Sequence, residues 1–458
     1  MQNLHNAPGF SRRQLLQALG SGLVLGGLGA AGMPNVWAQA APQGSKSQGR
    51  LVVVFLRGAY DGLSAFVPYA DREYYNIRPT IAIPAPDGSA QTALKLDNTF
   101  ALHPALSSML PLWQQGVLAF VPAAGLPAPN RSHFDAQYHM EIAQPGKTSG
   151  ASGWLNRVAA LHPQTTTALG IGEANPTILS GQTRVKLIPK GQAAERTGVL
   201  ANTKTRQVLM DLYGGKDAVS EAFRQGADSR LKSAEELSTE KAAAAERREM
   251  AMQPPPKTMD RKLDKDGTPA SAEARLAQMT AASNGAPDPV GLMLDAQHLG
   301  TLMRNDRNLS IGFLSAGGWD SHSNQGHVTG SLAKNLGNLG KGLTQLRQDF
   351  SEPGDVIVVM SEFGRTSAEN GSKGTDHGYG NAMWLIGNKV SGGKWHGKWT
   401  GLTRENLNQA RDLPVHHDYR GVLAQVLRST FSLSDSALAT ALPDAKWDSR
   451  LDGMLRRA

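Results

Sequence analysis

Two short stretches of the sequence set an aspartate close to a histidine among glycines: "GGWDSH", with Asp320 and His322, and "GTDHG", with Asp376 and His377. A carboxylate supplies negative charge to a cation and a neutral imidazole supplies a directional nitrogen, so such pairs are the building blocks of a metal site made without sulfur. The glycines let the backbone come close to whatever the side chains hold. Either pair alone is also a good polar turn. What favours a shared metal is that both pairs, and Asp61 in "RGAYDG", follow apolar runs of the kind that form buried strands.

A different chemistry is suggested by "NRSHFDAQYHMEIA". Ser132 stands where a helix should begin, and free backbone N–H groups with the helix dipole stabilise an anion there and ease ionisation of a hydroxyl. The same residues also read as an aspartate form of the capping box, with Ser132 as N-cap and Asp135 at the third helical position. The two readings are compatible. Glu362, in "VMSEFG", is a further acidic group at an expected strand end.

Composition narrows the possibilities. The chain of 458 residues contains no cysteine, which excludes disulfides, thiolate ligands and a cysteine nucleophile. The net charge of +8 is spread along the sequence without a long Lys/Arg block, so nucleic-acid binding is not expected and anionic ligands are. Near the N-terminus, Arg12 and Arg13 precede a Gly- and Ala-rich apolar run that ends in Ala38-Gln39-Ala40. This pattern predicts a twin-arginine signal peptide over residues 1–40, cleavage after Ala40, passage through the twin-arginine export machinery, and a periplasmic or otherwise exported protein. No second apolar span follows, so no transmembrane segment is expected in the mature chain.

The elements that must carry these residues alternate between strand and helix. After a linker at 41–50 come "LVVVFL", "GVLAFVPAAG", "LSIGFLSAGG" and "DVIVVMS" as strands, with helices near "HPALSSMLPLWQQ" and over "VTGSLAKNLGNLGKGLTQLRQDF", where leucines recur at helical spacing. Alternation of this kind predicts an α/β fold with a mainly parallel sheet, in which ligands bind at the carboxyl ends of the strands. Between about 215 and 290 the sequence turns rich in Ala, Lys, Glu and Arg around "QPPPKTMDRKLDKDGTP", predicting peripheral helices and a linker inserted into a domain that runs from 51 to 458.

The stretches "LVVVFLRGAYDGLSAFVPYAD", "YYNIRPTIAIP", "GGWDSHSNQ", "SEFGRTSAENGSKGTDHG", "GGKWHGKWTGL" and "DLPVHHDYRGVLAQVL" together resemble the bacterial family labelled domain of unknown function 1501. That family is similar to the alkaline phosphatase and sulfatase superfamily. The resemblance implies a doubly wound α/β sheet, two divalent metal ions (Zn, Mg, Mn or Ca) and an anionic ester as substrate, free or carried on a polymer. It implies Asp61, Asp320 and His322 as ligands and Ser132 as nucleophile, with Arg131 and Arg365 neutralising the ester oxygens or serving as structural partners of acids. Two alignments remain for the last ligands: Asp376 with His377, or Glu362 with His377. His396 is a reserve ligand, and His416 and His417 are expected as surface or capping residues. "SHFDA" lacks the formylglycine pattern, so phosphate-type esters fit better than sulfate esters. A non-catalytic envelope protein on the same scaffold is the other reading, favoured by Phe363 and by the single residue between Asp320 and His322.

Overall fold

The computed structural model describes residues 49–161, 167–250 and 269–456. The expected signal peptide at 1–40, nearly all of the expected linker and the proline-rich centre of the insertion lie outside them. The core is a nine-stranded sheet built from β1 (Leu51–Leu56), β2 (Leu118–Gly125), β3 (Thr167–Gly172), β4 (Val185–Pro189), β5 (Leu309–Ala316), β6 (Val356–Ser361), β7 (Asn381–Ile386) and the two-residue strands β8 (Lys394–Trp395) and β9 (His417–Asp418). Its order is β8-β2-β7-β6-β1-β5-β3-β4, with β9 also paired to β2. All pairings are parallel except those of β7, which runs against both β6 and β2.

The period of two along β1 explains the layering. Leu51, Val53 and Phe55 enter the core on one face, whereas Val52, Val54 and Leu56 enter the core on the other. The first face is covered by α1 (His133–Ile142) and, further along, α7 (Tyr419–Phe431). The longer helices between them are α2 (Thr203–Leu212), α3 (Ala218–Met250), α4 (Pro269–Ser283), α5 (Leu292–Asn305) and α6 (Ser331–Asp349). The opposite face is covered by α5 and α6, the latter through Leu332, Leu336, Leu339, Leu343 and Leu346. The α/β architecture with a mainly parallel sheet therefore stands as expected. Strands β3 and β4 and the antiparallel β7 were not legible as strands in the sequence. Among the described residues no helix is long and apolar enough to cross a membrane.

Register decides where chemistry can occur. Leu56 at the end of β1 lies opposite Ala316 of β5 and Ser361 of β6, so the three central strands stop level and release their loops together. The loop after β2 joins them, because Ala124 pairs with Asn381 at the start of β7. The insertion reaches this end as well: the carbonyl of Ala282 in α4 accepts from Gln137 of α1, and Ser283 Oγ accepts from the backbone N–H of Gly318.

The loop after β6 folds back on itself. The Gly364 N–H donates to Tyr379 O, the Gly378 N–H to Gly364 O and the Thr366 N–H to Asp376 O, which turns "FGRT" and "DHGY" into a short antiparallel ribbon. Gly364 makes this possible, because a Cβ there would sit 1.8 Å from the Gly380 carbonyl oxygen. Gly364→Ala should therefore cost about 1–3 kcal/mol in urea unfolding. Gly371→Ala in the same loop, where a Cβ would meet nothing within 4 Å, should leave the unfolding midpoint unchanged.

Candidate metal centre

The loops after β2, β5 and β6 bring His133, Asp320, His322 and His377 together. Asp320 Oδ1 lies 2.9 Å from His322 Nε2, 3.2 Å from His377 Nε2 and 3.4 Å from His133 Nε2. His377 Nε2 is also 3.0 Å from the Nε2 of both His133 and His322. His133 is the first residue of α1, behind the N-cap Ser132. Asp320 and His322 lie in the loop after β5, and His377 on the ribbon after β6.

What makes the cluster chemically specific is the other nitrogen of each ring. His133 Nδ1 faces Glu362 Oε1 at 2.8 Å, His322 Nδ1 faces Asp376 Oδ1 at 3.0 Å, and His377 Nδ1 faces the Arg131 carbonyl oxygen at 2.8 Å. All three partners accept hydrogen bonds, so each Nδ1 must carry the proton and donate. In the neutral ring the lone pair is then on Nε2. Three lone pairs and a carboxylate oxygen thus converge with no proton to share among them, which is repulsive unless a cation stands between them. Metal-binding histidines are held in just this way, the distal N–H fixed by a carboxylate or carbonyl. Size agrees: four donors around a zinc-sized ion at ~2.0–2.1 Å stand about 3.3 Å apart, against the observed 2.9–3.4 Å. His133, Asp320 and His377 can each offer one donor atom to a common ion, all within 4.8 Å of one another.

Without an ion the same geometry draws protons in. Burial depresses the His133 imidazole, but hydrogen bonds to Asp320 and Glu362 and their charges outweigh it, and its pKa is pushed up to about 9. The hydrogen bond to Asp320 raises that of His322, over opposing burial and the Arg365 charge. Burial alone would raise the Asp320 carboxyl, yet the three histidines and then Arg365 hold it well below the usual carboxylate range.

The supporting layer is buried and fully engaged. Glu362 Oε1 accepts from the Gly58 N–H, Gln137 Nε2 and His133, and Oε2 accepts from Ser361 Oγ. Arg365 donates to Asp320 at 2.7 Å and to Thr375 Oγ1 at 3.2 Å. Phe363 stacks on His133 with ring centroids 4.8 Å apart. The other side is open: the side chains of His377 and His322 are 22% and 29% exposed, against 1% for Asp320.

Of the residues singled out in the sequence, Asp320, His322, Glu362, Arg365, Asp376 and His377 meet here. Asp320, His322 and His377 face the centre, whereas Glu362 and Asp376 each orient a histidine. Ser132 caps α1, its Oγ accepting from the Asp135 N–H at 3.4 Å, and it precedes the inward-facing His133. Arg131 gives its carbonyl to His377 and its guanidinium to Asp412. Asp61 lies apart. Its oxygens accept from Arg78 at 2.7 and 3.1 Å, from Ser64 and from Gln325, so its charge is already neutralised inside the protein. Gln325 and Thr375 link it indirectly to Arg365. His396 Nε2 donates to the Ser391 carbonyl oxygen at 2.8 Å, and His416 pairs with Thr400. His417 is buried rather than at the surface, bridging Asp448 and the Lys398 N–H.

The residue the sequence reading passed over is His133. The signal was present, a histidine in a strand-end loop at the first turn of a helix, but the neighbouring hydroxyl of Ser132 drew the chemistry away from it.

A family model described as "Protein of unknown function (DUF1501)" matches residues 48–442. Comparison with solved structures finds a variant of TAB5 alkaline phosphatase, with magnesium bound, that is 9% identical and covers 76% of this chain and 94% of that chain at a TM-score of 0.31. No curated protein matches.

Metal binding must displace the proton from His133, which fixes the sign of a pH effect. Isothermal titration with zinc should give an apparent affinity that rises about tenfold per pH unit from 6.5 toward 9 and levels off above. Glu362→Gln should weaken it by about 10–100-fold. Affinity indifferent to both pH and Glu362 would place any bound zinc elsewhere.

Proposed function

This chain belongs to the family described as protein of unknown function (DUF1501), and we propose that it is an exported hydrolase of phosphate-type esters that depends on a divalent metal. The observation that carries this reading is the convergence of three fixed imidazole lone pairs on Asp320, open on one side to solvent and adjoining Ser132 and Arg131. Nitrogen-rich donors of this kind suit zinc better than magnesium or calcium, which prefer all-oxygen shells. His133, His377 and Asp320, with His322 beside them, would hold the ion. When bound, it supplies Lewis acidity toward the ester oxygens and lowers the cost of forming an oxygen nucleophile.

The chain's own groups do the rest. Glu362, Asp376 and the Arg131 carbonyl keep every Nδ1 protonated, so the rings cannot turn their lone pairs away. Arg365 fixes the Asp320 carboxylate from behind. Ser132 Oγ is the nucleophile at the helix terminus, where the dipole favours its anionic form. It attacks the ester phosphorus, the alcohol departs with the proton that Ser132 gives up, and water then hydrolyses the phosphoserine to free phosphate. Export by the twin-arginine route, with removal of residues 1–40 from the domain that follows, suits a protein that acquires its metal while folding.

A second reading has a specific observation behind it. Asp61 is neutralised by Arg78, and Phe363 stacks on His133, so the donors gathered here amount to one centre. A non-catalytic envelope protein that keeps one structural metal would look the same. The zinc-loaded protein should be assayed with an aryl phosphate, a phosphodiester and an aryl sulfate. We expect turnover of a phosphate ester that falls at least about a thousandfold in Ser132→Ala, with zinc content unchanged. Full zinc occupancy with every ester untouched would instead establish the structural reading.

A further inference from the structure

Beside the centre, a second arrangement of charge is built with equal care. Asp412 is fully buried, and two guanidinia converge on it: Arg131 Nη2 at 2.6 Å from Oδ2, and Arg411 Nη1 at 3.1 Å from each oxygen. One carboxylate thus serves two cations, leaving one positive charge unbalanced. The two side chains are 38% and 39% exposed, so this charge faces solvent.

The pair is also tied to the centre. The Arg131 carbonyl accepts from His377 Nδ1, and Arg411 Nη2 donates to the His377 carbonyl at 3.0 Å. His377 is therefore held from both sides by the segments that bear the arginines. The turn carrying Arg411 is strained: Gln409 and Ala410 both have φ of +54°, consecutive non-glycine residues in the left-handed region. Local hydrogen bonds close that turn, with the Asn408 N–H donating to Asp412 O and the Arg411 N–H to Asn408 O. Gln409 Oε1 accepts a further bond from Arg131 Nη2. Strain of this kind persists where the surroundings hold it, and it gathers at ligand clamps.

These bonds leave Nε and Nη1 of Arg131 and Nε of Arg411 without protein partners among the described residues. Guanidinium donors of fixed direction beside an uncompensated charge are what recognise a tetrahedral oxyanion. We propose that Arg131 and Arg411, gathered by Asp412, form an anion subsite at the mouth of the metal centre that binds the phosphate group of the substrate. This rests on the hydrolase reading and extends it: Arg411 becomes a binding residue, and the substrate must carry an anionic group able to approach His377 from the Arg411 side.

The subsite can be tested without turnover. Inorganic phosphate is titrated by calorimetry into the full-length mature protein, metal-free and zinc-loaded, and zinc is titrated separately. Arg411→Gln and Arg131→Gln should each weaken phosphate binding about 10–100-fold, the cost of losing one charge-assisted partner. Arg411→Lys, which keeps the charge but not the fork, should fall between. Zinc affinity should stay within about threefold of wild type, which a merely structural role at His377 would not permit. If the protein takes no zinc, the hydrolase reading fails, yet arginine-dependent phosphate binding by the metal-free protein still supports the subsite. Phosphate binding that is absent in wild type, or equal in wild type and both glutamine variants, overturns it.

Discussion

One oxygen atom of Asp320 is approached by three imidazole nitrogens and an arginine, all within 3.4 Å. The carboxylate is buried, and a buried charge must be matched locally or titrate away. Arg365 matches it from the protein side. The histidines face it from the solvent side, but their Nδ1 protons are spent on Glu362, Asp376 and the Arg131 carbonyl. Either extra protons or a cation must complete the set. The placement of Phe363, Gln137 and the Gly58 N–H follows from keeping this arrangement in register: the last two feed Glu362, and Phe363 stacks on the ring Glu362 orients.

The fold delivers these groups through register rather than through any single motif. Level ends of β1, β5 and β6 release the loops that carry Gly58, Asp320 and Glu362 at one height. The antiparallel β7 then returns the chain along β6, so the segment before it folds against the segment after β6 and sets His377 beside Arg365. Close backbone approach is the condition, which is why glycines crowd this stretch. The pair of Arg131 and Arg411 belongs to the same construction, since Arg131 reaches His377 by its carbonyl and Arg411 by its guanidinium.

Much of this was legible in the sequence. Unbroken apolar runs marked the central strands, because a strand covered on both faces need not alternate. Polar residues after those runs marked the site, because parallel strands end together. Three things were not legible. β7, like β3 and β4, was not legible as a strand, and its antiparallel direction leaves no trace in composition. Asp61 has the position of a ligand, but Arg78, 17 residues later, neutralises it, and nothing in either residue alone announces the pairing. His133 was hidden by the serine before it. Which of two adjacent polar side chains turns inward depends on the helix start, and here Ser132 caps while His133 faces the core.

Anomalous diffraction from zinc-soaked crystals of the mature protein tests the central claim most directly. A metal centre at Asp320 predicts one peak about 2.0–2.2 Å from the Nε2 atoms of His133 and His377 and from an oxygen of Asp320, with each Nδ1 still bonded to its present acceptor. A map with no peak there, or with zinc on other residues and the histidines unmoved, would contradict it.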